Sequence, residues 1–274
     1  MSDSPRARRE LGQNFLIDRH SIERIVEALD PRVGEPILEI GPGRGALTGV
    51  LVQRVERIAA VERDRALADA LQREYPSDRL TVIENDVLKV DLASVAPSLG
   101  HPATTRLVVV GNLPYNISKP IAMKLIRERR TIDRAVLMFQ KEVADRLTAV
   151  PGTKAYGPLT VLTALTYCIE RLFDLRPGAF RPRPKIDSTV TRWHTREMPA
   201  FDESREDALL ACLAASFKRR RQTLRNNLRH ALGSPALAEE ILLGANLDPS
   251  LRAEAIPPEG FVRLAELWPE AHGV

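Results

Sequence analysis

Three short segments of this 274-residue chain carry residue types at spacings that can do chemistry. The first is Glu39-Ile40-Gly41-Pro42-Gly43-Arg44-Gly45, a turn whose missing β-carbons let the backbone bend sharply and approach a ligand. Glu62 follows about 20 residues later, where a carboxylate accepts hydrogen bonds from ribose hydroxyls in nucleotide-binding folds. Asp86, in Glu84-Asn85-Asp86, is placed to receive an adenine amine. Two cofactor classes fit: a dinucleotide for hydride transfer, and S-adenosylmethionine for methyl transfer. The GxGxG spacing and the glutamate two residues before the first glycine favour the second. No Gly-Lys-Ser/Thr follows, so this is not a Walker loop, and Gly152-Thr153-Lys154 reads as a surface loop.

The second segment is Gly111-Asn112-Leu113-Pro114-Tyr115-Asn116. An adenine N6 amine is a poor nucleophile because its lone pair is delocalised into the ring. The Asn112 amide oxygen and the Leu113 carbonyl form an acceptor pair able to hold both N–H hydrogens, localising that lone pair and aiming it at a sulfonium methyl. Pro114 fixes the backbone, and Tyr115 offers a face for stacking, worth about 1–3 kcal/mol per base. No strong base is required, since a methylated, cationic amine loses its proton readily. An ordinary Asn-Pro turn is the competing reading.

The third is Phe180, within Pro177-Gly178-Ala179-Phe180-Arg181-Pro182-Arg183-Pro184-Lys185. An aromatic among cations suits a base extruded beside its phosphates, while a core-anchoring phenylalanine is the alternative. Further on, Lys218, Arg219, Arg220, Arg221, Arg225 and Arg229 lie between Ser216 and His230 without an acid. Read as one helix, this stretch places Lys218, Gln222, Arg225 and Arg229 on one face opposite an apolar stripe. That face is either a phosphate-tracking surface or simply solvated. Arg6, Arg8 and Arg9 add a candidate basic arm.

Elements that can hold these segments alternate along the chain. Strands are expected near 36–40, 58–62, 80–84, 106–111 and 134–140, with helices at 46–54, 65–74, 91–96 and 118–129. Strands apolar nearly throughout, such as Leu107-Val108-Val109-Val110, indicate an α/β fold with a parallel sheet covered on both faces. Cys168–Leu175 and Ser188–Trp193 are expected to form a long edge hairpin around the proline-rich loop. After Met198-Pro199 the pattern turns wholly helical. The expected organisation is an N-terminal arm over 1–18, an α/β domain over 19–198 and a small helical domain over 199–274.

Composition excludes several classes. Lys and Arg total 40 against 36 Asp and Glu, a net charge of +4; 44% of residues are hydrophobic and 28% charged, which rules out a disordered or collagen-like chain. Residues 159–169 are too short and too threonine-rich for a membrane span, and residues 1–10 lack an apolar signal core. Cys168 and Cys212 form no ligand pattern and the histidines no metal-binding spacing, so a cytoplasmic protein with no metal is expected.

Six segments in order now become informative together: Gln13-Asn14-Phe15-Leu16, Glu39 through Thr48, Gly111 through Tyr115, Gln140-Lys141-Glu142-Val143, Phe180 through Lys185, and Thr223-Leu224-Arg225-Asn226-Asn227. In this combination the chain resembles the ribosomal small-subunit RNA adenine dimethyltransferases from about Leu11 to the last helix. The resemblance implies a Rossmann-like S-adenosylmethionine-dependent methyltransferase sheet with a C-terminal all-helical domain. It implies dimethylation of N6 on two adjacent adenosines near the 3′ end of 16S rRNA, on the immature 30S subunit, during ribosome biogenesis. It further implies that Asn14, Leu16, Gly41, Gly43, Glu62, Asp86 and Asn112 contact the cofactor. Asn112, Leu113, Pro114 and Tyr115 would grip the base, with Phe180 stacked on its other side. Lys218, Arg220, Arg221 and Arg225 are the expected RNA contacts. Lys119 departs from the family, which more often has a small polar residue there. A monomer is expected. The rival readings are a large-subunit rRNA methyltransferase of the macrolide-resistance type, and an assembly factor in which catalysis is secondary.

Overall fold

The computed structural model describes residues 13–197 and 200–269, so the expected basic arm at Arg6, Arg8 and Arg9 lies outside the described residues. The chain divides into two compact units, one of residues 1–144 and 169–195, the other of residues 145–168 and 196–274.

In the first unit, β1 (Phe15–Leu16) precedes α1 (Arg19–Leu29), then β2 (Ile37–Ile40), α2 (Thr48–Arg54), β3 (Ile58–Glu62), α3 (Arg65–Glu74) and β4 (Leu80–Glu84). The one-turn α4 (Val95–Ser98), β5 (Leu107–Asn112), α5 (Ser118–Arg127) and β6 (Ile132–Gln140) follow. After α6 (Lys141–Leu147) and α7 (Pro158–Thr166) come β7 (Tyr167–Leu175), β8 (Phe180–Arg181) and β9 (Ser188–Thr195). The main sheet has the order β4-β3-β2-β5-β6-β9-β7, with β1 and β8 forming a separate antiparallel pair. The strands β4, β3, β2, β5 and β6 run parallel, and β9 runs antiparallel to β6.

The expected apolar strands are the inner ones: every residue of β2 and β3 is buried, as are Leu107 to Gly111 of β5, because helices cover both faces. Asp18 and Asp64 cap α1 and α3 by accepting the N–H of Ser21 and Ala66. The connection from β2 leads to β3 on one side while β5 lies on the other. This reversal opens a crevice beyond the carboxyl ends of β2 and β5, where such sheets bind ligands. The glycine turn and Asn112 stand at those two ends.

The second unit holds α7, α8 (Glu206–Phe217), α9 (Leu224–Leu232), α10 (Pro235–Gly244) and α11 (Pro258–Glu266). Residues 145–168 therefore group with the C-terminal helices, whereas the sequence pattern places them in the α/β domain. The reason is the character of α7: Val161, Leu162 and Leu165 are buried together with Thr160, Thr163 and Thr166, so the helix needs neighbours on nearly every face. It packs against α8 and α11. Just before it, the Tyr156 hydroxyl donates to the Ile256 carbonyl at 2.8 Å, and the rings of Tyr156, Phe217 and Phe261 adjoin one another.

The single basic helix expected from Ser216 to His230 is broken. Between α8 and α9 the chain turns at residues 218–223, because the buried Asn227 amide bonds both the N–H and the carbonyl of Arg219. Thr223 then caps α9 by accepting the N–H of Asn226. Lys218 and Arg225 consequently do not share one helical face.

Candidate active site

A cavity opens at the crevice, wholly within the first unit; it takes in about 790 Å³ of space, part of it open to solvent. Its walls include Asn14, Gly41, Gly43, Glu62, Asp86 and Asn112 through Tyr115, so the structure brings together most of the site read from sequence.

At one end the glycine turn and two acids form a cradle. Gly41 and Gly43 both adopt left-handed backbone, with φ of 67° and 58°. A β-carbon on Gly43 would lie 3.0 Å from the Phe15 ring, so this glycine also lets β1 close over the turn. Glu62, which lines the cavity, accepts the N–H of Gly43 at 3.1 Å and of Asp64 at 2.8 Å, one on each carboxylate oxygen, so its side chain is fixed. Burial pushes its pKa up. Glu39 is fully enclosed and accepts the Thr48 hydroxyl at 2.6 Å; burial, opposed by that bond and reinforced by the Glu62 charge, raises its pKa to about 7. Asp86 accepts the Leu88 N–H and lies 3.5 Å from Arg63.

This donor set suits a cationic cofactor. Among the described residues the only cation lining the cavity is Arg63, already beside Asp86. S-adenosylmethionine carries a positive sulfonium and no phosphate. The acids, the amides and the main chain of the glycine turn fit it.

At the other end stands the tetrad. The Asn112 Nδ2 donates to the Asn14 carbonyl at 2.9 Å. A carbonyl only accepts, so this contact fixes which end of the amide is which and leaves Oδ1 as an acceptor without a partner among the described residues. The Leu113 carbonyl follows it directly, while its N–H is bound to Met138. Tyr115 is half-buried, and its hydroxyl lies 2.6 Å from the hydroxyl of the fully buried Ser188, which pins the ring. Burial raises the tyrosine pKa, so the phenol stays protonated at neutral pH.

A family model described as ribosomal RNA adenine dimethylase matches residues 5–267. The chain belongs to that family. The ribosomal RNA small subunit methyltransferase A of Acidobacterium capsulatum is 43% identical over 263 residues, covering 94% of this chain and 89% of that protein. Its counterpart in Geobacter sulfurreducens is 41% identical over 267 residues, 96% of each. Among solved structures, a dimethyladenosine transferase from Plasmodium falciparum aligns with a TM-score of 0.76 at 23% identity, over 91% of this chain and 95% of that one. The 23S rRNA methyltransferase ErmE aligns with a TM-score of 0.70 at 27% identity, over 93% and 99%. The Rossmann-like methyltransferase architecture is thereby established.

Within this dimethylase fold, several expected roles need correction. Phe180 is fully buried and does not line the cavity. As part of β8 it pairs with Leu16 of β1, and its ring joins Leu16, Leu175 and Val190 in the core rather than facing the cavity. Leu16, 4% exposed, is core for the same reason. Of the four expected RNA-binding cations, Arg220 donates to the carbonyls of Lys154 and Tyr156 and pairs with Glu254 at 3.1 Å, while Arg225 pairs with Glu239 at 3.0 Å. Lys218 and Arg221 are exposed and remain available. The sequence reading omitted Phe15, Arg63 and Ser188 from the site, although Phe15 and Ser188 sit inside or beside motifs that it singled out.

Proposed function

We propose that this dimethylase acts at the rim of its sheet by presenting adenosine N6 to a methyl donor through Asn112 and Leu113. The chain is an S-adenosylmethionine-dependent rRNA adenine dimethyltransferase. Its substrates are two adjacent adenosines near the 3′ end of 16S rRNA, and its partner is the immature small subunit in the cytoplasm. When bound, S-adenosylmethionine supplies an electrophilic methyl on a sulfonium. The turn at Gly41–Gly45, with Glu62 and Asp86, holds the nucleoside part of that donor, and β1 with Asn14 covers it. Asn112 Oδ1 and the Leu113 carbonyl accept the two N6 hydrogens, and Tyr115, braced by Ser188, stacks on the base. Held this way, N6 would keep its lone pair directed into the cavity, and the extra proton it would carry once alkylated would leave to water. A second transfer to the same nitrogen needs the same acceptors, now with one hydrogen to hold.

The observation that carries this reading is the Asn112–Asn14 contact, because it alone orients the amide oxygen as an acceptor. The test supplies labelled S-adenosylmethionine with undermethylated 30S particles, with 50S particles, or with neither. Label is expected on adjacent adenosines of the 30S particle only. Asn112→Ala is expected to slow transfer by about 100-fold or more, the cost of losing one preorganised polar contact at a reacting centre, with donor binding retained. Labelling of 50S particles, the preference carried by the name of the ErmE neighbour, would overturn the substrate assignment. Near-normal turnover in Asn112→Ala would overturn the tetrad's role.

A further inference from the structure

The loop between β8 and β9 is tied at both ends to walls of the active cavity. At its start Arg181 pairs with Phe15, which lines the cavity, and the Ala179 carbonyl accepts the N–H of Ile17. At its end Ser188 holds the Tyr115 hydroxyl. Between these anchors Arg181, Arg183 and Lys185 occupy every second position, separated by Pro182 and Pro184, with no acid from Leu175 to Ile186. All three cations are exposed, and none has a side-chain hydrogen bond or ion pair among the described residues. Other cations on the flanking elements behave differently: Lys141 lies 2.8 Å from Asp174, Arg171 3.5 Å from the same carboxylate, and Arg192 3.5 Å from Glu170. In the tetrad's own segment, Lys119 follows the lining residues Asn116 and Ile117 and is likewise exposed and unpartnered among the described residues.

Unpaired cations on two segments joined to the walls of a pocket that takes one base match the chemistry of a nucleotide within a strand. Such a nucleotide carries a phosphate on its 5′ side and another on its 3′ side, and both remain outside when the base enters. We propose that Arg181, Arg183 and Lys185 of the β8–β9 loop, together with Lys119 after the tetrad, hold the phosphodiester backbone flanking the target adenosine. The α/β unit thereby contributes its own grip on the strand next to the nucleotide whose base enters the cavity. The proposal rests on the rRNA-methyltransferase reading of the same site. Phosphate contacts of this kind position a strand without reading its sequence.

The test compares wild type, the Arg181→Gln/Arg183→Gln/Lys185→Gln triple variant and Lys119→Gln. Methyl transfer to undermethylated 30S particles is measured from 50 to 200 mM KCl, alongside donor affinity and thermal midpoint. The triple variant is expected to lose at least about 10-fold in kcat/KM at low salt. Its slope of log(kcat/KM) against log salt should flatten by about 2, at about 0.7 per phosphate contact on a single strand. Lys119→Gln should flatten it by under about 1, and donor affinity and melting should not change in either variant. Active variants with the wild-type slope would overturn the assignment of this loop. A wild-type protein that transfers no methyl group to the particles would instead overturn the reading beneath it.

Discussion

Gly111 is the position where one methyl group would do most damage to the site. It pairs with Ile40 in the register of β2 and β5, and a β-carbon there would lie 2.7 Å from the Ile40 carbonyl oxygen, 3.1 Å from Leu113 Cδ2 and 3.3 Å from Ile40 Cβ. The nearest atom is main chain and cannot rotate away, so the two strands must part by roughly half an ångström at their carboxyl ends. Overpacking of this kind costs about 1–3 kcal/mol, and a lost ladder bond about 1 kcal/mol more. At about 2–4 °C per kcal/mol for a chain of this size, Gly111→Ala should melt roughly 10 °C below wild type. The opening lies between Gly41 and Asn112, whose carbonyl is 3.8 Å from where a Gly41 β-carbon would sit. Donor affinity should therefore fall together with stability. Differential scanning fluorimetry and titration calorimetry on one preparation measure both. A variant melting within about 2 °C of wild type, under 1 kcal/mol, with unaltered donor affinity would refute the claim that this strand gap is closed to a side chain.

Two further outcomes follow from buried or paired charges. Glu39 titrates at about 7 in the folded chain against 4.5 for an unperturbed glutamate, so between those values the folded state binds more protons and stability falls as pH rises. Glu39→Gln keeps an acceptor for Thr48 and removes this loss, gaining on wild type by up to about 3 kcal/mol at pH 8 and by little at pH 4. Urea midpoints across that range test it, and parallel curves would contradict it. Arg220→Gln should destabilise the second unit by about 1–2 kcal/mol, since its guanidinium ties Lys154, Tyr156 and Glu254 together at a half-exposed site. Its salt slope for methyl transfer should stay at the wild-type value; a flattened slope would show that Arg220 reaches phosphate after all.

The sequence determined the sheet and the chemistry that it carries. A fully buried parallel strand must be apolar along nearly its whole length, so β3 coincides with the run read at 58–62; β4, an edge strand buried only at Leu80, still coincides with the run at 80–84. The glycine turn, Glu62 and Asn112 through Tyr115 follow strand ends at fixed offsets, which is enough to gather them around one cavity. Tertiary structure decided everything that depends on partners distant along the chain. Asn112 is oriented by Asn14, 98 residues away, and Tyr115 is braced by Ser188, 73 residues away. Phe180 has the same neighbours in sequence whether it stacks on a base or fills a core; only the pairing of β8 with β1 turned it inward. Equally, a run of arginines reads alike whether its charges meet phosphate or carboxylate. Glu254 and Glu239 claimed Arg220 and Arg225, while no acid reached Arg181, Arg183 or Lys185 among the described residues. Local pattern records which side chains a strand or helix can present, but pairing across the fold settles which of them remain free to act.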